Sequence, residues 1–267
     1  MSAVAPGAEE EPALISDREN AIATLILNRP HQYNPLSFAM LQALQEALEA
    51  ISSDDSVRVV ILAARGKAFS AGHDLREMRG NEDREFHRTL FEKCGQVMQT
   101  IASLPQPVIA MVDGIATAAG CQLVAQCDLA VASERSRFAV SGINLGLFCS
   151  TPAVALSRNM HRKQAMKMLL TGDFIDAQTA LQHGLVNTVT SVEDLESETR
   201  ALAENIAAKS PLAIRTGKAM FYTQLNMALD KAYEFAGDTM ACNMDSEDAR
   251  EGFDAFLEKR SPGWRGK

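Results

Sequence analysis

Long hydrophobic runs and basic clusters are both missing from this sequence of 267 residues. No apolar run is long enough to cross a bilayer as a helix, so we expect no transmembrane segment and no membrane as partner. The net charge is −8 and no stretch is rich in lysine and arginine, which argues against a nucleic-acid-binding surface. An anionic small molecule still fits if basic residues gather locally.

Cysteine spacing typical of metal sites is also missing, because the five cysteines follow no CxxC or zinc-ligand pattern. Most of them lie among apolar residues, so the sequence predicts buried free thiols in a reducing compartment and no metal site. The first residues are acidic and contain no arginine before Arg18, which argues against a signal or transit peptide for the chain as given. We therefore expect a disordered acidic leader over residues 1–16 and a cytoplasmic protein.

Alternating strand and helix patterns are what the chain does contain. Residues 21–27 and 57–63 predict strands, and a helix capped by Ser37 lies between them. This β-α-β order favours a parallel sheet with helices outside it, so the predicted fold class is α/β. The last part of the chain has an almost wholly helical pattern. The expected domains are a core over residues 17–200 and a helical region over residues 201–267.

A strand–helix corner at residues 107–132 organises the predicted core. An apolar strand ends in Asp113–Gly114, and the small residues Ala118, Ala119 and Gly120 then lead into a helix. Small residues allow close approach of a backbone or ligand, and the first turn of a helix has free N–H groups and a partial positive charge. Such a corner can seat a developing negative charge. A tightly packed corner explains this stretch by itself at least as well.

Several short motifs in a fixed order are more specific. They are LNRP at residues 27–30, KAFSAGHDL at 67–75, DGIATAAGC at 113–121 and EGFDAFLEKR at 251–260. In this order and spacing, the chain resembles the crotonase, or enoyl-CoA hydratase/isomerase, superfamily over nearly all of its length after the leader. The resemblance implies a spiral core of ββα turns and a C-terminal helical trimerisation region, with homotrimers often paired into hexamers.

The resemblance also implies an acyl-CoA thioester as ligand and an enolate-type oxyanion on its carbonyl, within a lyase family of fatty acid metabolism. Backbone N–H groups of His73 and Ala119 would form the oxyanion hole, and each preset donor contributes roughly 2.7–4 kcal/mol. Coenzyme A is then part of the substrate, and no separate cofactor is expected. The positions that match coenzyme A contacts of the family are Pro35, Ala71, Leu75, Phe256 and Lys259.

Two positions depart from the family pattern. The resemblance places the two hydratase glutamates where this chain has Gln122 and Gly142. An amide can hold a water molecule but cannot accept its proton at neutral pH, and glycine offers no side chain. Since a positioned acid or base contributes about 10²–10⁴-fold, we expect little standard hydratase or isomerase activity, although overall similarity alone would give the name enoyl-CoA hydratase.

His73 is the candidate replacement for the missing acids. The SAGHD motif at residues 70–74 also resembles the methylmalonyl-CoA decarboxylase of the family, in which a tyrosine stands where this chain has Cys149. Decarboxylation suits a site without a strong base, because loss of CO₂ itself creates the enolate. A histidine that contributes only its backbone N–H explains the motif at least as well. Three functions stay open: a decarboxylase-like or thioesterase-like enzyme, a non-catalytic acyl-CoA binder, and a structural role.

Overall fold

The computed structural model describes residues 11–267, so the first ten residues of the predicted leader lie outside the described part of the chain. The fold begins earlier than predicted, because a strand over Leu14–Glu19 overlaps the end of the leader. Leu14 pairs with Leu27 of the following strand in an antiparallel register. The boundary at residue 16 is therefore wrong. Pairing with a neighbouring strand, rather than hydrophobic periodicity, stabilises this polar segment.

The strands belong to two sheets. In chain order they are β1 (Leu14–Glu19), β2 (Ile22–Leu27), β3 (Val59–Ala64), β4 (Ala68–Ser70), β5 (Val108–Val112), β6 (Ile115–Thr117), β7 (Leu129–Ser133), β8 (Arg137–Ala139), β9 (Ile175–Asp176) and β10 (Thr188–Thr190). The larger, six-stranded sheet has the order β1-β2-β3-β5-β7-β10, and the smaller, four-stranded sheet has the order β4-β6-β8-β9. All neighbours are parallel except β1 with β2 and β8 with β9.

The chain alternates between the sheets in a regular way. β3 leads into β4, β5 into β6 and β7 into β8, and each pair moves from the larger sheet to the smaller one before a helix follows. The central strands of the larger sheet are buried on both faces and rich in valine and isoleucine, as parallel strands between other layers require. The α/β core of ββα turns is thus confirmed.

Helices cover the sheets and form the C-terminal region. They are α1 (Phe38–Ser52), α2 (Leu75–Gly80), α3 (Arg84–Ser103), α4 (Ala119–Gln126), α5 (Ser150–Asn159), α6 (Arg162–Thr171), α7 (Ala177–Gln182), α8 (Leu195–Ala207), α9 (Pro211–Gln224), α10 (Leu229–Met244) and α11 (Glu247–Glu258). Short 3₁₀ turns occupy Pro30–Gln32 and Ser141–Leu145. Within residues 11–267, no helix combines the length and apolarity needed to cross a membrane.

Side-chain caps favour the starts of helices, and burial of apolar residues stabilises their packing on the sheets. The hydroxyl of Ser37 accepts the N–H of Met40, and the buried leucines of α1 pack in the main core together with those of α3. α8 instead lies on the other face of the larger sheet, against a second cluster that includes Ile61 and Ile109. Most of α10 is exposed, and Ala232 is its buried residue.

Candidate active site

The turn between β6 and α4 holds its backbone in a conformation that few side chains adopt. Ala118 has φ 51° and ψ −120°, and its N–H donates to the carbonyl of Ala139 at 3.0 Å. α4 then starts at Ala119 without a side-chain cap. The first N–H groups of a helix have no intrahelical acceptor, so Ala119 N–H remains available for a ligand.

The loop after β4 meets this corner at Gly72. Gly72 has φ +91°, and a Cβ built on it would lie 2.9 Å from Ala118 Cβ and 3.1 Å from Ala119 N. Backbone bonds hold the loop in place: Ala71 N–H donates to Tyr33 O at 2.9 Å, and Leu36 N–H donates to Gly72 O at 2.8 Å. The two predicted oxyanion loops are therefore in direct contact.

The N–H of His73 follows directly after this contact. Gly72 N–H donates to the hydroxyl of Ser70 at 3.2 Å, whereas within residues 11–267 neither His73 N–H nor Ala119 N–H has an acceptor. Two neighbouring loops thus each contribute one free backbone donor. A free N–H pair of this kind can stabilise an oxyanion.

The imidazole of His73 is mostly buried. Its Nδ1 lies 3.0 Å from Leu36 O, and its ring meets that of Phe91 edge-on with 5.4 Å between centroids. Because a carbonyl only accepts, Nδ1–H is the donor and Nε2 is unprotonated. Within the described residues Nε2 is buried without a hydrogen-bond partner. Burial lowers the pKa of His73, so the ring is neutral near pH 7.

Gln122 lies about one turn after Ala119 in α4. The residue is buried, and within residues 11–267 its Oε1 meets no donor. Gln122 also lines a cavity of about 540 Å³ between α3, α4, α5 and the end of α9. A buried carbonyl oxygen without a donor is unfavourable, so this amide is suited to a ligand or water in the cavity.

Gly142 lies against Cys149. Its N–H donates to Cys149 Sγ at 3.3 Å, and a Cβ at this position would lie 2.7 Å from that sulfur and 3.0 Å from Leu147 O. Burial raises the pKa of the Cys149 thiol, which disfavours the nucleophilic thiolate. The sulfur therefore occupies the space that a larger residue at position 142 would need.

The predicted coenzyme A positions fall into two groups. Buried Pro35 lies in the segment that hydrogen-bonds to Ala71 and Gly72, so the structure brings it next to Ala71, and Leu75 follows with 55% of its surface exposed. Phe256, which is 82% exposed, and Lys259 lie at the end of α11 instead. The first group borders the oxyanion loops, and no described contact joins the second group to it.

A network of hydrogen bonds and an ion pair behind the cavity was not predicted from the sequence. Tyr222, which lines the cavity, donates to Asp128 Oδ1 at 2.9 Å, and Lys218 pairs with Asp128 Oδ2 at 2.7 Å. These residues are about 90 positions apart in the chain. No local pattern could have joined them.

Comparison with protein families identifies the family of this chain. The family model for enoyl-CoA hydratase/isomerase matches residues 17–267. The chain belongs to the enoyl-CoA hydratase/isomerase family. Rat enoyl-CoA hydratase domain-containing protein 3, mitochondrial, is 47% identical over 98% of this chain and 88% of its own length.

Solved structures of family members have the same fold. An enoyl-CoA hydratase of Mycobacterium smegmatis is 56% identical, with a TM-score of 0.94 over 95% of this chain and 99% of its own. Human enoyl coenzyme A hydratase domain-containing protein 3 is 45% identical, with a TM-score of 0.92 over 94% of this chain and 100% of its own. The resemblance inferred from the motifs is confirmed over the whole described fold.

The comparisons correct the expected location. The sequence predicted a cytoplasmic protein, whereas the rat, mouse, zebrafish and human relatives are all named as mitochondrial proteins. The cytoplasmic prediction is therefore overturned. An acidic N-terminal composition was a weak basis for it, because location depends on targeting rather than on the composition of the folded chain.

Proposed function

We propose that this protein binds an acyl-CoA thioester and stabilises an enolate-type oxyanion on its carbonyl oxygen. The observation that carries the proposal is the contact between Gly72 and the Ala118–Ala119 corner, beside two backbone N–H groups without acceptors in residues 11–267. Preset donors of this type contribute roughly 2.7–4 kcal/mol each to an oxyanion. Family membership supports a thioester as the source of that oxygen.

Standard hydration is the reaction that the site supports least. Addition of water to an enoyl thioester needs groups that take a proton from water and deliver one to the α-carbon. Gln122 can hold the water but cannot take its proton, and Cys149 fills the space beside Gly142. Loss of such groups costs about 10²–10⁴-fold each, so crotonyl-CoA hydration is slow in this proposal.

Decarboxylation is the turnover that fits these residues better, ahead of thioester hydrolysis. When the bond between the α-carbon and a carboxylate breaks, CO₂ leaves and the electron pair stays on the thioester as an enolate. The N–H groups of His73 and Ala119 stabilise its oxygen, and a proton taken from solvent water then adds to the α-carbon and leaves hydroxide in solution. The His73 ring is neutral, and within residues 11–267 its Nε2 has no hydrogen-bond partner, so the ring does not act as a cationic acid in this proposal.

An assembly of three subunits, paired into six in some members, belongs to the same proposal. Large apolar side chains on α9, α10 and α11 are exposed in the single chain, among them Leu229, Tyr233 and Phe256. Contiguous exposed apolar surface of this kind marks interaction sites. The proposal places the trimer contacts on these helices.

Purified full-length protein tests the proposal with two ligands. We expect calorimetric binding of hexanoyl-CoA and hydration of crotonyl-CoA at least about 10²-fold below that of an ordinary family hydratase assayed in parallel. Hydration at the hydratase's own rate would contradict the altered acid–base set. Ala119→Leu, which fills the corner, should abolish thioester binding, whereas Ala201→Leu at an exposed position of α8 should leave it unchanged.

The fold of both variants is checked by thermal unfolding. Overpacking at buried Ala119 costs about 1–3 kcal/mol, so the variant should still fold. Unchanged hexanoyl-CoA affinity in folded Ala119→Leu would show that the oxyanion assignment is wrong. Binding without turnover across malonyl-type, simple acyl and enoyl thioesters would instead favour a non-catalytic binder.

A further inference from the structure

The cavity next to Gln122 has an unusual charge balance. Arg158 is the one charged side chain among the described residues that line it, and amides such as Gln126, Asn159 and Asn226 make up much of its remaining polar surface. No aspartate or glutamate of residues 11–267 lines the cavity. The chain as a whole has 34 acidic and 26 basic residues, so a cavity with a cation and no acid differs from the general surface.

The guanidinium of Arg158 is largely unused within the described residues. Its Nη1 donates to Val154 O at 3.1 Å, one turn back in α5, and no carboxylate in residues 11–267 pairs with it. Other arginines near carboxylates do form such pairs, as Arg135 does with Asp113 and Arg260 with Glu251. The remaining N–H groups of Arg158 can donate two parallel hydrogen bonds to a carboxylate.

Asp128, the acid bonded to the cavity-lining Tyr222, does not compensate for this charge. Asp128 pairs with Lys218 at 2.7 Å and accepts the Tyr222 hydroxyl at 2.9 Å, so its charge is balanced behind the cavity wall. Tyr222 thus presents its ring rather than a free donor to the cavity. Arg158 is exposed to solvent, and no acid of residues 11–267 that lines the cavity balances its charge.

We propose that the acyl group held in this cavity ends in a carboxylate that Arg158 binds, so that the preferred ligands are coenzyme A thioesters of dicarboxylic acids. The inference rests on the proposed thioester site, because Gln122 lies one turn from Ala119 and also lines the cavity. An acyl chain that starts at the oxyanion donors passes Gln122 and enters the space that Arg158 borders. The amides of Asn159 and Gln126 supply further donors to the same carboxylate.

Calorimetry with matched pairs of saturated thioesters tests this inference without any need for turnover. The pairs are adipyl-CoA with hexanoyl-CoA, suberyl-CoA with octanoyl-CoA and sebacyl-CoA with decanoyl-CoA, with free coenzyme A as reference. For at least one pair, we expect the dicarboxylic thioester to bind about tenfold more tightly. Both members of a pair carry the same nucleotide, so contacts to coenzyme A cancel in the comparison.

Variants then assign the preference to Arg158. Arg158→Gln should bind the two members of the pair equally, and Arg158→Lys should keep part of the preference because it retains the charge without the planar geometry. Arg162→Gln, which removes an exposed cation of α6 away from the cavity, should behave like the unchanged protein.

Two outcomes overturn the inference. One is equal affinity within every pair in the unchanged protein, and the other is a preference that survives in Arg158→Gln. Failure of all thioesters to bind would contradict the proposed function itself and is therefore distinguishable from either outcome.

Discussion

The carbonyl oxygen of Ser70 leaves no room for a side chain at position 120. A Cβ there would lie 2.3 Å from this oxygen, far inside any normal contact. Position 142 is restricted by Cys149 Sγ in a similar way, at 2.7 Å. At the residue scale, positions 120 and 142 therefore require glycine because a neighbouring atom fills the space of a side chain. At position 142, the thiol of Cys149 takes the space that a larger side chain would need.

This packing predicts that positions 142 and 149 are energetically coupled. Gly142→Ala should lower the free energy of unfolding by about 1–3 kcal/mol, because the new methyl group overlaps the sulfur. The same change in a Cys149→Ala background should cost less, with a coupling energy of at least about 0.5 kcal/mol. Urea denaturation of the two single variants and the double variant measures this.

A matched control is available on α10. Gly237 has nothing within 4 Å of a built Cβ, so Gly237→Ala should stabilise the helix by up to about 1 kcal/mol. Strict additivity of the changes at positions 142 and 149 would show that the sulfur does not occupy the space assigned to it.

At the scale of elements, one buried lysine attaches α9 to the core. The Lys218 ammonium donates to Ile101 O at 2.8 Å, Gln106 O at 3.0 Å and Asp128 Oδ2 at 2.7 Å. Asp128 also accepts the N–H of Val108 at 2.7 Å at the start of β5. α9 and the cavity wall formed by Tyr222 are thus fixed relative to the sheet.

Removal of this charge should be costly. Lys218→Met leaves Asp128 buried without its cation, and loss of one partner of a buried pair costs about 3–5 kcal/mol. Lys231→Met is the control, because its pair with Glu234 is exposed and such pairs contribute about 0–1 kcal/mol. Denaturation at a fixed protein concentration compares the two, and equal losses would exclude an anchoring role for Lys218.

Several short elements could not be predicted from the sequence. β4 and β6, for example, have three residues each. A three-residue strand has no hydrophobic periodicity to recognise, and it forms because parallel partners supply its hydrogen bonds. Longer elements such as α1 and β3 were predictable from the sequence. Burial of one face gives α1 a periodic apolar pattern, and burial of both faces gives β3 a continuous apolar run.

At the scale of the whole molecule, the C-terminal helices expose large apolar side chains that a contact between subunits would cover. Leu229 and Tyr233 lie one turn apart on α10 and are 75% and 74% exposed. We expect multi-angle light scattering to give the mass of a trimer or hexamer. Leu229→Glu with Tyr233→Glu should reduce this mass, since buried charges would oppose the contact.

The control for this experiment is Ala201→Glu with Asn205→Glu, which adds the same two charges one turn apart at exposed positions of α8 and should keep the native mass. A monomer for the unchanged protein, or a trimer that tolerates both glutamates, would show that α10 does not form the subunit contact.

The order of the motifs identified the family from the sequence alone. The absence of carboxylates at positions 122 and 142 can also be read from the sequence, because residue identity and spacing do not depend on packing. The contact of Gly72 with Ala118 was decided only by the tertiary structure. So were the thiol beside Gly142 and the position of Arg158 at the cavity, where no carboxylate of residues 11–267 pairs with it. These contacts depend on how separate elements pack against one another, and such packing leaves no periodic pattern in the sequence.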